Sequence, residues 1–382
     1  MKILHTSDLH IGKKIMGRER FSEYRAVFCE LAEVCRREKT ELLLIAGDVF
    51  DTYTPSAEAE EIFYQGVKLL AENCAVLIVS GNHDDHVRLT AASVLAQEHN
   101  IYILGNSLNA VVCKSIGGTH PVKSGAGWVI FENDRGEQVY INALPYPNEA
   151  RFKEGRSEET FEEKMTRWIN CGEEGKAKNI PSIFLSHIFV AGGSVSESER
   201  EIDLGGTRSV PLRLLPSCDY CALGHLHKRQ RIGKNAYYSG APMQFSFDEC
   251  GAVKSVNVFD LTERGVENFS QVELCSARKL VRLQSNSVQD GISLLKKYSE
   301  YFVELTINLN APMTPQESKS LRENENLVSL KAEVRSAEID YGRYSNKNKS
   351  SSELFSDYYK LRYGADVPKE LLSLFLSLTE EE

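Results

Sequence analysis

The chain has 382 residues and a formal net charge of -9. This length is too great for one ordinary domain, so we expect two or three, and the acidic balance argues against a protein that coats nucleic acid by charge alone. Hydrophobic residues make up 42% of the chain, which allows a sizeable core. No run approaches the roughly 18 apolar residues of a membrane-spanning helix, and the start lacks the apolar segment of a signal peptide. We therefore expect a cytoplasmic globular protein with no membrane partner.

The first part of the chain alternates strand-like and helix-like segments. Three nearly continuous apolar runs predict buried strands, at 2–7, 41–48 and 74–84. Three segments with apolar residues at helical spacing predict helices, at 19–38, 56–72 and 86–98. This βαβαβ order predicts an α/β domain with parallel strands.

Further strands follow in a more antiparallel pattern. Asp134 to Gly136 and Glu263 to Gly265 are turn signals between apolar runs, and each predicts a hairpin. The runs at 181–190 and 218–227 again end in polar residues. We place the end of the first domain at residue 275.

The last third of the chain divides into three segments. Residues 276–340 alternate strand and helix patterns and predict a small α+β domain, and the Ser/Asn/Lys-rich stretch 341–352 predicts a linker. Residues 353–382 show two short helical patterns with apolar stripes. Such short helices bury little on their own, so they either pack on their own chain or dock against a helix of a partner.

Polar side chains follow five of the predicted strands, each at the point where the strand ends. They are Asp8, His10, Asp48, Asn82, His83, Asp84, His187, His225 and His227. Because ligand sites in α/β sheets form outside the carboxyl ends of strands, these residues are expected to converge. Imidazole and carboxylate groups together suit manganese, iron, zinc or related ions. The set therefore predicts a metal centre.

Each of these residues also has a simpler structural explanation. A lone histidine at a strand end, such as His187, is more often a satisfied core or surface residue, and Gly47-Asp48 alone is a common turn. His5, His99 and His120 lie in no such setting and are not assigned to the centre. It is the ordered set of five strand ends that favours metal binding.

The order of these motifs resembles the calcineurin-like metallophosphoesterase superfamily over residues 1–230. The resemblance implies a sandwich of two sheets with helices on both outer faces, and a site for two divalent metal ions. It further implies hydrolysis of phosphate esters by a two-metal mechanism in which hydroxide attacks phosphorus.

Four segments resemble, more narrowly, the SbcD family of bacterial nuclease subunits, which are counterparts of the Mre/Rad repair nucleases. They are SDLHIG near the start, AGDVFDT at 46–52, SGAPMQFSFDEC at 239–250 and ELFSDYYKLRYGADVP at 353–368. This resemblance implies a manganese-dependent nuclease that acts on DNA, as a 3′–5′ exonuclease on double strands and an endonuclease on single strands and hairpins. It implies an SbcC-type coiled-coil ATPase as partner, docked by segment 353–382, and a homodimer within a heterotetramer. Residues 276–340 would then be a capping domain that steers DNA.

The resemblance also implies a role for each strand-end residue. Asp8, His10, Asp48 and His227 would bind one metal ion. Asp48, Asn82, His187 and His225 would bind the other, with Asp48 bridging. His83 would be catalytic and Asp84 would orient it. One position departs from related archaeal and eukaryotic nucleases, because Asp51 stands where they carry a second catalytic histidine.

Two alternatives remain open on the residues alone. A phosphatase or cyclic-nucleotide phosphodiesterase of the same superfamily would carry the same metal motifs, although neither needs the region after residue 275. A non-enzymatic scaffold on this fold would be expected to have lost metal ligands, whereas all seven positions are intact here.

Overall fold

We analysed a computed structural model of the chain. The structure describes residues 1–106, 109–114, 117–151, 158–177, 179–196, 199, 209–334 and 350–379. The chain divides into two compact units, Met1–Lys279 and Leu280–Glu382. Most of the predicted linker, at 341–349, lies outside the described residues.

The first unit contains thirteen strands, five α-helices and two 3-10 helices, Leu212–Leu214 and Phe247–Glu249, within its described residues. In chain order the strands are β1 Lys2–Thr6, β2 Leu42–Ala46, β3 Ala75–Val79, β4 Ile101–Leu104, β5 His120–Gly125, β6 Trp128–Glu132, β7 Gln138–Leu144, β8 Ser182–His187, β9 Tyr220–Gly224, β10 Gln230–Ile232, β11 Ala236–Tyr238, β12 Ser255–Thr262 and β13 Gly265–Glu273. The helices are α1 Phe21–Glu38, α2 Ala57–Ala71, α3 His86–Thr90, α4 Ser93–Gln97 and α5 Phe161–Cys171.

These strands form two sheets. The first has the order β13-β12-β1-β2-β3-β4, in which β1 to β4 are parallel and β12 and β13 are antiparallel additions. The second has the order β10-β11-β9-β8-β7-β6-β5, with parallel pairing from β7 through β8 and β9 to β11. Both predicted hairpins are present, as β6–β7 and β12–β13.

The two sheets pack face to face with helices outside. Alternate residues of β2 face opposite ways because side chains alternate along a strand. Leu42 and Leu44 join the core between the sheets, whereas Leu43 and Ile45 pack in the cluster formed by α1 and α2. On the other side, Trp168 of α5 belongs to the cluster that covers the second sheet. The predicted two-sheet α/β sandwich with flanking helices is confirmed.

The helix predicted over 86–98 is instead two short helices, α3 and α4. Leu89 is the one buried side chain in these two helices, so packing supplies little to hold a single longer helix together. Thr90 also donates its hydroxyl to the carbonyl of His86 at 2.8 Å, which competes with regular helical bonding.

The second unit alternates strands and helices and then ends in two helices. Its elements are β14 Leu280–Ser285, α6 Val288–Lys297, β15 Phe302–Leu309, α7 Pro315–Arg322, β16 Leu327–Val334, α8 Ser351–Tyr363 and α9 Lys369–Thr379. The strands pair in parallel in the order β14-β15-β16. Leu295 of α6 packs against Val303 and Leu305 in the core of this sheet.

The two C-terminal helices pack against each other. The rings of Phe355 and Phe375 stack with centroids 4.0 Å apart. Helix α8 begins with a capping box between Ser350 and Glu353 and ends at Gly364, whose φ of 65° is left-handed. In the described part of the chain, we find no helix that is long and apolar enough to span a membrane.

Candidate metal centre

The predicted metal ligands gather at one edge of the sandwich. They follow the carboxyl ends of β1, β2 and β3 in the first sheet and of β8 and β9 in the second. Asn82 is half-buried, and the other six are buried: Asp8, His10, Asp48, His187, His225 and His227.

One group of ligand atoms centres on His10. Asp8, His10 and His227 each offer an atom within 4.8 Å of the others. The Nε2 atoms of His10 and His227 are 3.1 Å apart, and His10 Nε2 is 3.4 Å from Asp48 Oδ2. Two imidazole nitrogens and two carboxylates thus face one small volume.

A second group lies on the other side of Asp48. His187 Nε2 is 3.3 Å from Asp48 Oδ2 and 2.8 Å from Asn82 Oδ1. His225 Nδ1 is 3.0 Å from the same Asn82 oxygen. Asp48 therefore lies between the two groups, with one oxygen near His10 and His187 alike.

The backbone at this edge is held in an unfavourable conformation. Asp8, His10, Asp48 and His225 have φ values of 55°, 46°, 50° and 104°, in the left-handed region that residues other than glycine rarely adopt. Such backbone costs on the order of 1–3 kcal/mol per residue and persists where the surrounding structure enforces it. Its concentration at four predicted ligands marks this edge as a functional site.

Two glycines are required by close approach at the same edge. A Cβ atom on Gly224 would lie 1.8 Å from the carbonyl oxygen of Ala46, and one on Gly81 would lie 2.1 Å from Asp48 Oδ1. Any side chain there would push the two sheets or the ligand loops apart. The glycines therefore allow the ligand loops from both sheets to meet.

Burial and neighbouring charges separate the pKa values of the histidines. Burial lowers the pKa of both His10 and His225 to about 3. Burial alone would also lower the pKa of His187, but the carboxylates of Asp48 and Asp8 outweigh it and raise that pKa to about 9. Burial alone would raise the pKa of Asp48, but the charge of His187 holds it well below the usual value. At neutral pH the centre therefore pairs the Asp48 carboxylate with the protonated ring of His187, while the rings of His10 and His225 are neutral.

The donor set fits divalent metal ions. Carboxylate oxygens, imidazole nitrogens and an amide oxygen are the usual ligands of manganese, iron and zinc, and here they converge in a buried volume where unpaired charge is costly. His83 Nε2 is buried and has no hydrogen-bond partner in the described structure. The residues present thus match a metal-binding site of the predicted kind.

His83 and Asp84 lie beside the ligands, but their contacts differ from the prediction. The Nδ1 atom of His83 is 2.8 Å from the backbone oxygen of Asp51, to which it donates. Asp84 instead accepts from the backbone N–H groups of Val49, Phe50 and Gly81, at 3.2, 2.9 and 2.8 Å. Asp84 therefore contacts the backbone of the ligand loops, and the backbone oxygen of Asp51 contacts the His83 ring; an orienting role of Asp84 toward His83 stays a prediction.

Comparison with known proteins agrees with this geometry. The sequence profile of the family described as calcineurin-like phosphoesterase matches residues 1–229. The chain is similar to the SbcD subunit of nuclease SbcCD from Bacillus subtilis (strain 168), at 33% identity over 405 aligned residues that cover 100% of this chain and 99% of the relative. The chain belongs to the SbcD family of calcineurin-like phosphoesterases. It is therefore a metal-dependent phosphoesterase.

Other members of the SbcD family are also similar to the chain. The SbcD subunit from Staphylococcus epidermidis is 25% identical over 396 residues, which cover 98% of this chain and 99% of the relative. The SbcD subunit from Rhodobacter capsulatus is 32% identical over 282 residues, which cover 68% and 66%. The similarity to two of these SbcD proteins thus extends through both units of the chain.

Two acidic residues support His227, and the sequence did not reveal them. Glu199 accepts a hydrogen bond from the backbone N–H of His227, and Glu249 Oε1 lies 3.8 Å from His227 Nδ1. Lys254 pairs with Glu249 and donates to the backbone oxygen of His227 at 3.1 Å. The SGAPMQFSFDEC segment contains Glu249. Its resemblance to SbcD proteins singled out this segment in the sequence but did not indicate what Glu249 does.

Arg151 is a further residue that sequence reasoning missed. It is buried, and its guanidinium donates to the backbone oxygen of Asp84 at 2.7 Å and to the Ser80 hydroxyl at 3.2 Å. It therefore ties the loop that follows β3, which carries Asn82 and His83, to the rest of the first unit. No motif surrounds Arg151 in the sequence that would have pointed to this contact.

Proposed function

We propose that the chain is the nuclease subunit of a DNA-processing complex and cleaves the phosphodiester backbone. The observation that carries the proposal is the convergence of seven predicted ligand side chains from five strand ends in two sheets. The full-length similarity to proteins named as SbcD subunits of nuclease SbcCD supports DNA as the substrate. No contact in the described structure favours a small phosphomonoester over a nucleic acid.

The centre would hold two divalent metal ions, and manganese is the ion we expect. Asp8, His10, Asp48 and His227 would bind the first ion. Asp48, Asn82, His187 and His225 would bind the second, so that the two ions would share Asp48. The position of Asp48 Oδ2, 3.4 Å from His10 Nε2 and 3.3 Å from His187 Nε2, supports this division.

When bound, the two ions supply a deprotonated water as nucleophile and neutralise charge on the phosphoryl oxygens. His83 stabilises the charge that develops on the departing sugar oxygen or protonates that oxygen. Since Nδ1 of His83 donates to the Asp51 backbone oxygen, its Nε2 is the atom left to hold or donate a proton in the pocket. Asp84 keeps the loops of Asp48 and His83 in place through its three backbone contacts.

The expected reactions are 3′–5′ exonuclease activity on double strands and endonuclease activity on single strands and hairpins. In this proposal the first unit is the nuclease domain, and the sheet of the second unit, within residues 276–340, is a capping domain that steers DNA. DNA repair and recombination are the processes that such an activity serves.

The C-terminal helices dock an SbcC-type coiled-coil ATPase. Leu371, Leu374 and Leu378 recur at helical spacing on α9 and are 37%, 56% and 66% exposed. An apolar row of this kind on a helix fits a helical partner better than it fits water. The stacked rings of Phe355 and Phe375 leave this row available by holding α8 and α9 together.

A homodimer, within a heterotetramer with the partner, is the assembly we expect. An apolar patch on the first unit supports it, because Val87, Val94 and Leu95 of α3 and α4 are 66%, 77% and 72% exposed. An adjoining groove has few polar atoms and is lined by Phe63, Tyr64 and Ile103 among others. Sedimentation velocity should give a dimer for the full chain and a monomer for Leu95→Glu; a wild-type monomer would reject the dimer.

The function is tested by offering two substrates to the purified full chain with manganese. We expect cleavage of labelled single-stranded DNA and little turnover of p-nitrophenyl phosphate, with Asp48→Ala inactive on both because the bridging carboxylate is lost. Turnover of the monoester with intact DNA would instead identify a phosphatase. Activity on neither substrate would indicate a scaffold.

A further inference from the structure

A basic loop follows the ligand His10. Between Ile11 and Arg20 the chain carries Lys13, Lys14, Arg18 and Arg20, against the single acid Glu19. This balance contrasts with the net charge of -9 for the whole chain. Lys14 pairs with Glu19 and the buried Arg20 pairs with Glu23, whereas Lys13 pairs with Asp51, beside the ligand His10. The question is therefore which further negative group Lys13 can bind.

Lys13 is the cation of this loop that the structure places nearest to the centre. Its Nζ atom lies 3.0 Å from Asp51 Oδ1, and the same carboxylate oxygen is 3.4 Å from His10 Nδ1. The Lys13 side chain is 20% exposed, so its ammonium is only partly in solvent. An ammonium has three donor hydrogens, and the Asp51 carboxylate accepts a hydrogen bond from one of them.

The backbone around Lys13 is fixed rather than free. The hydroxyl of the buried Tyr24 donates to the His10 carbonyl at 2.6 Å and lies 3.3 Å from the carbonyl of Lys13. Ile11 is bridged to Phe50, the residue before Asp51. Lys13 and Asp51 are therefore held together by their loops as well as by their charges, and the ammonium is positioned in advance of substrate.

The orientation of His10 defines where Lys13 lies relative to the ligand atoms. Nε2 of His10 faces His227 Nε2 at 3.1 Å, while Nδ1, on the other edge of the ring, faces Asp51. The His10 ring thus lies between the ligand atoms on one side and the Lys13–Asp51 pair on the other. The Phe245 ring borders both residues, with its centroid 5.4 Å from that of His10 and 5.8 Å from Lys13 Nζ.

We propose that Lys13 binds a backbone phosphate adjacent to the scissile one, and that Asp51 positions its ammonium for that contact. This inference rests on the proposed nuclease function. Because the His10 ring lies between Lys13 and the ligand atoms, Lys13 is placed to contact a phosphate next to the one at the metals and not that phosphate itself. The competing explanation is that the Lys13–Asp51 pair only stabilises the loop.

The test compares Lys13→Met and Lys13→Arg with the wild-type full chain in manganese. Initial rates are measured on a single-stranded oligonucleotide and on bis(p-nitrophenyl) phosphate, which has no adjacent phosphate. Lys39→Met is the matched control, because Lys39 lies between α1 and β2, at the amino ends of the strands and opposite the centre. Bound manganese is measured for each variant, which separates substrate binding from damage to the centre.

For Lys13→Met we expect a KM on DNA raised about tenfold, the order expected when one charge-assisted contact is lost. The plot of log(kcat/KM) against log[salt] should become shallower by about 0.7, the value for one phosphate on a single strand. The small diester, the bound manganese and Lys39→Met should stay at wild-type values, and Lys13→Arg should keep most of the DNA affinity.

Four results would overturn the inference. An unchanged salt slope and KM on DNA would leave Lys13 with a structural role only, and equal losses on both substrates would place it at the scissile phosphate. Loss of manganese from Lys13→Met would show that the pair supports the centre itself. A wild-type chain that cuts the small diester but not DNA would reject the proposed function instead, and the inference with it.

Discussion

At the scale of single residues, the centre depends on groups that are fixed from more than one loop. His83 follows β3, yet its ring is held by the backbone oxygen of Asp51, which follows β2. Its backbone N–H donates to Asp48 Oδ1 at 2.9 Å. The ring is therefore fixed from two loops, and its Nε2 atom has no hydrogen-bond partner among the described residues.

Replacing His83 with leucine is expected to remove catalysis and leave metal binding intact. In the proposed mechanism the His83 ring faces the departing oxygen through Nε2 and is not among the seven predicted ligands, so kcat should fall by about a hundredfold or more. Manganese content by atomic absorption should remain that of the wild type. His120→Leu is the matched control, because its Nδ1 is also bonded to a backbone oxygen, that of Gly118 at 2.8 Å. Loss of manganese from His83→Leu would make His83 a ligand.

The sequence predicted which residues would meet but not every contact between them. The ligand set could be inferred because the carboxyl ends of parallel strands lie at one edge of a sheet. The partners of Asp84 could not, since Val49 and Phe50 come from the loop after a different strand. Glu199 reaches His227 from 28 residues away in the chain, and neither residue type nor spacing indicates such a contact.

At the scale of elements, β1 connects the core to the centre. It pairs with β2 on one side and β12 on the other, and its last residue lies two positions before Asp8. His5 lies within this strand and is completely buried. Its Nδ1 is 3.0 Å from the Tyr220 hydroxyl, so His5, which the sequence did not assign to the centre, has a hydrogen-bond partner within the core.

The buried His5 is expected to make the first unit sensitive to acid. Burial lowers the pKa of His5 from 6.5 to about 3, so between these values the unfolded chain binds a proton that the folded unit does not. The contribution of His5 to the free energy of unfolding is complete above pH 6.5. It falls as the pH drops below that value, by at most about 1.4 kcal/mol per pH unit. At pH 5 the loss should reach about 2 kcal/mol.

Urea unfolding of wild type and His5→Asn at pH 7 and pH 5 checks this expectation. Tryptophan fluorescence reports the first unit alone, since both tryptophans, Trp128 and Trp168, lie within it. The variant is expected to start less stable but to lose about 2 kcal/mol less between the two pH values. Equal losses in both proteins would mean that His5 is not the group responsible.

Most elements could be predicted because their patterns reflect burial. Strands β2 and β3 are buried along their whole length, which produces the continuous apolar runs seen in the sequence. The prediction of one helix over 86–98 was wrong. The apolar residues there have helical spacing, but most of their side chains, such as those of Val94 and Leu95, are exposed. Periodicity alone does not tell a helix that packs on its own core from an apolar surface.

At the scale of the whole molecule, the two units have different proposed roles, catalysis in the first and partner binding in the second. The first unit contains every predicted ligand, and the second contributes a small parallel sheet and the paired helices α8 and α9. The exposed leucines of α9 lie on a short helix that gains little stability from its own contacts. We expect this helix to be where the chain joins its partner.

Leu374→Glu is expected to weaken binding of an SbcC-type coiled-coil fragment about tenfold or more, because it buries a charge in an apolar contact. Cleavage of single-stranded DNA by the isolated variant should be unchanged. Ser373→Glu is the matched control, since it adds the same charge at an exposed neighbouring position. The affinity of the chain for the coiled-coil fragment can be measured by isothermal titration calorimetry. If Leu374→Glu and a deletion of 353–382 both kept the wild-type affinity, the helices would be excluded as the docking site.

One buried edge of the sandwich is proposed to bind two metal ions that share Asp48. Manganese titration of the metal-free full chain, followed by electron paramagnetic resonance, tests this proposal. We expect two ions per chain with a spin-coupled spectrum, as for ions about 3.5–4 Å apart, and loss of that coupled spectrum in Asp48→Ala. One ion per chain, or two uncoupled ions that Asp48→Ala retains, would contradict the account.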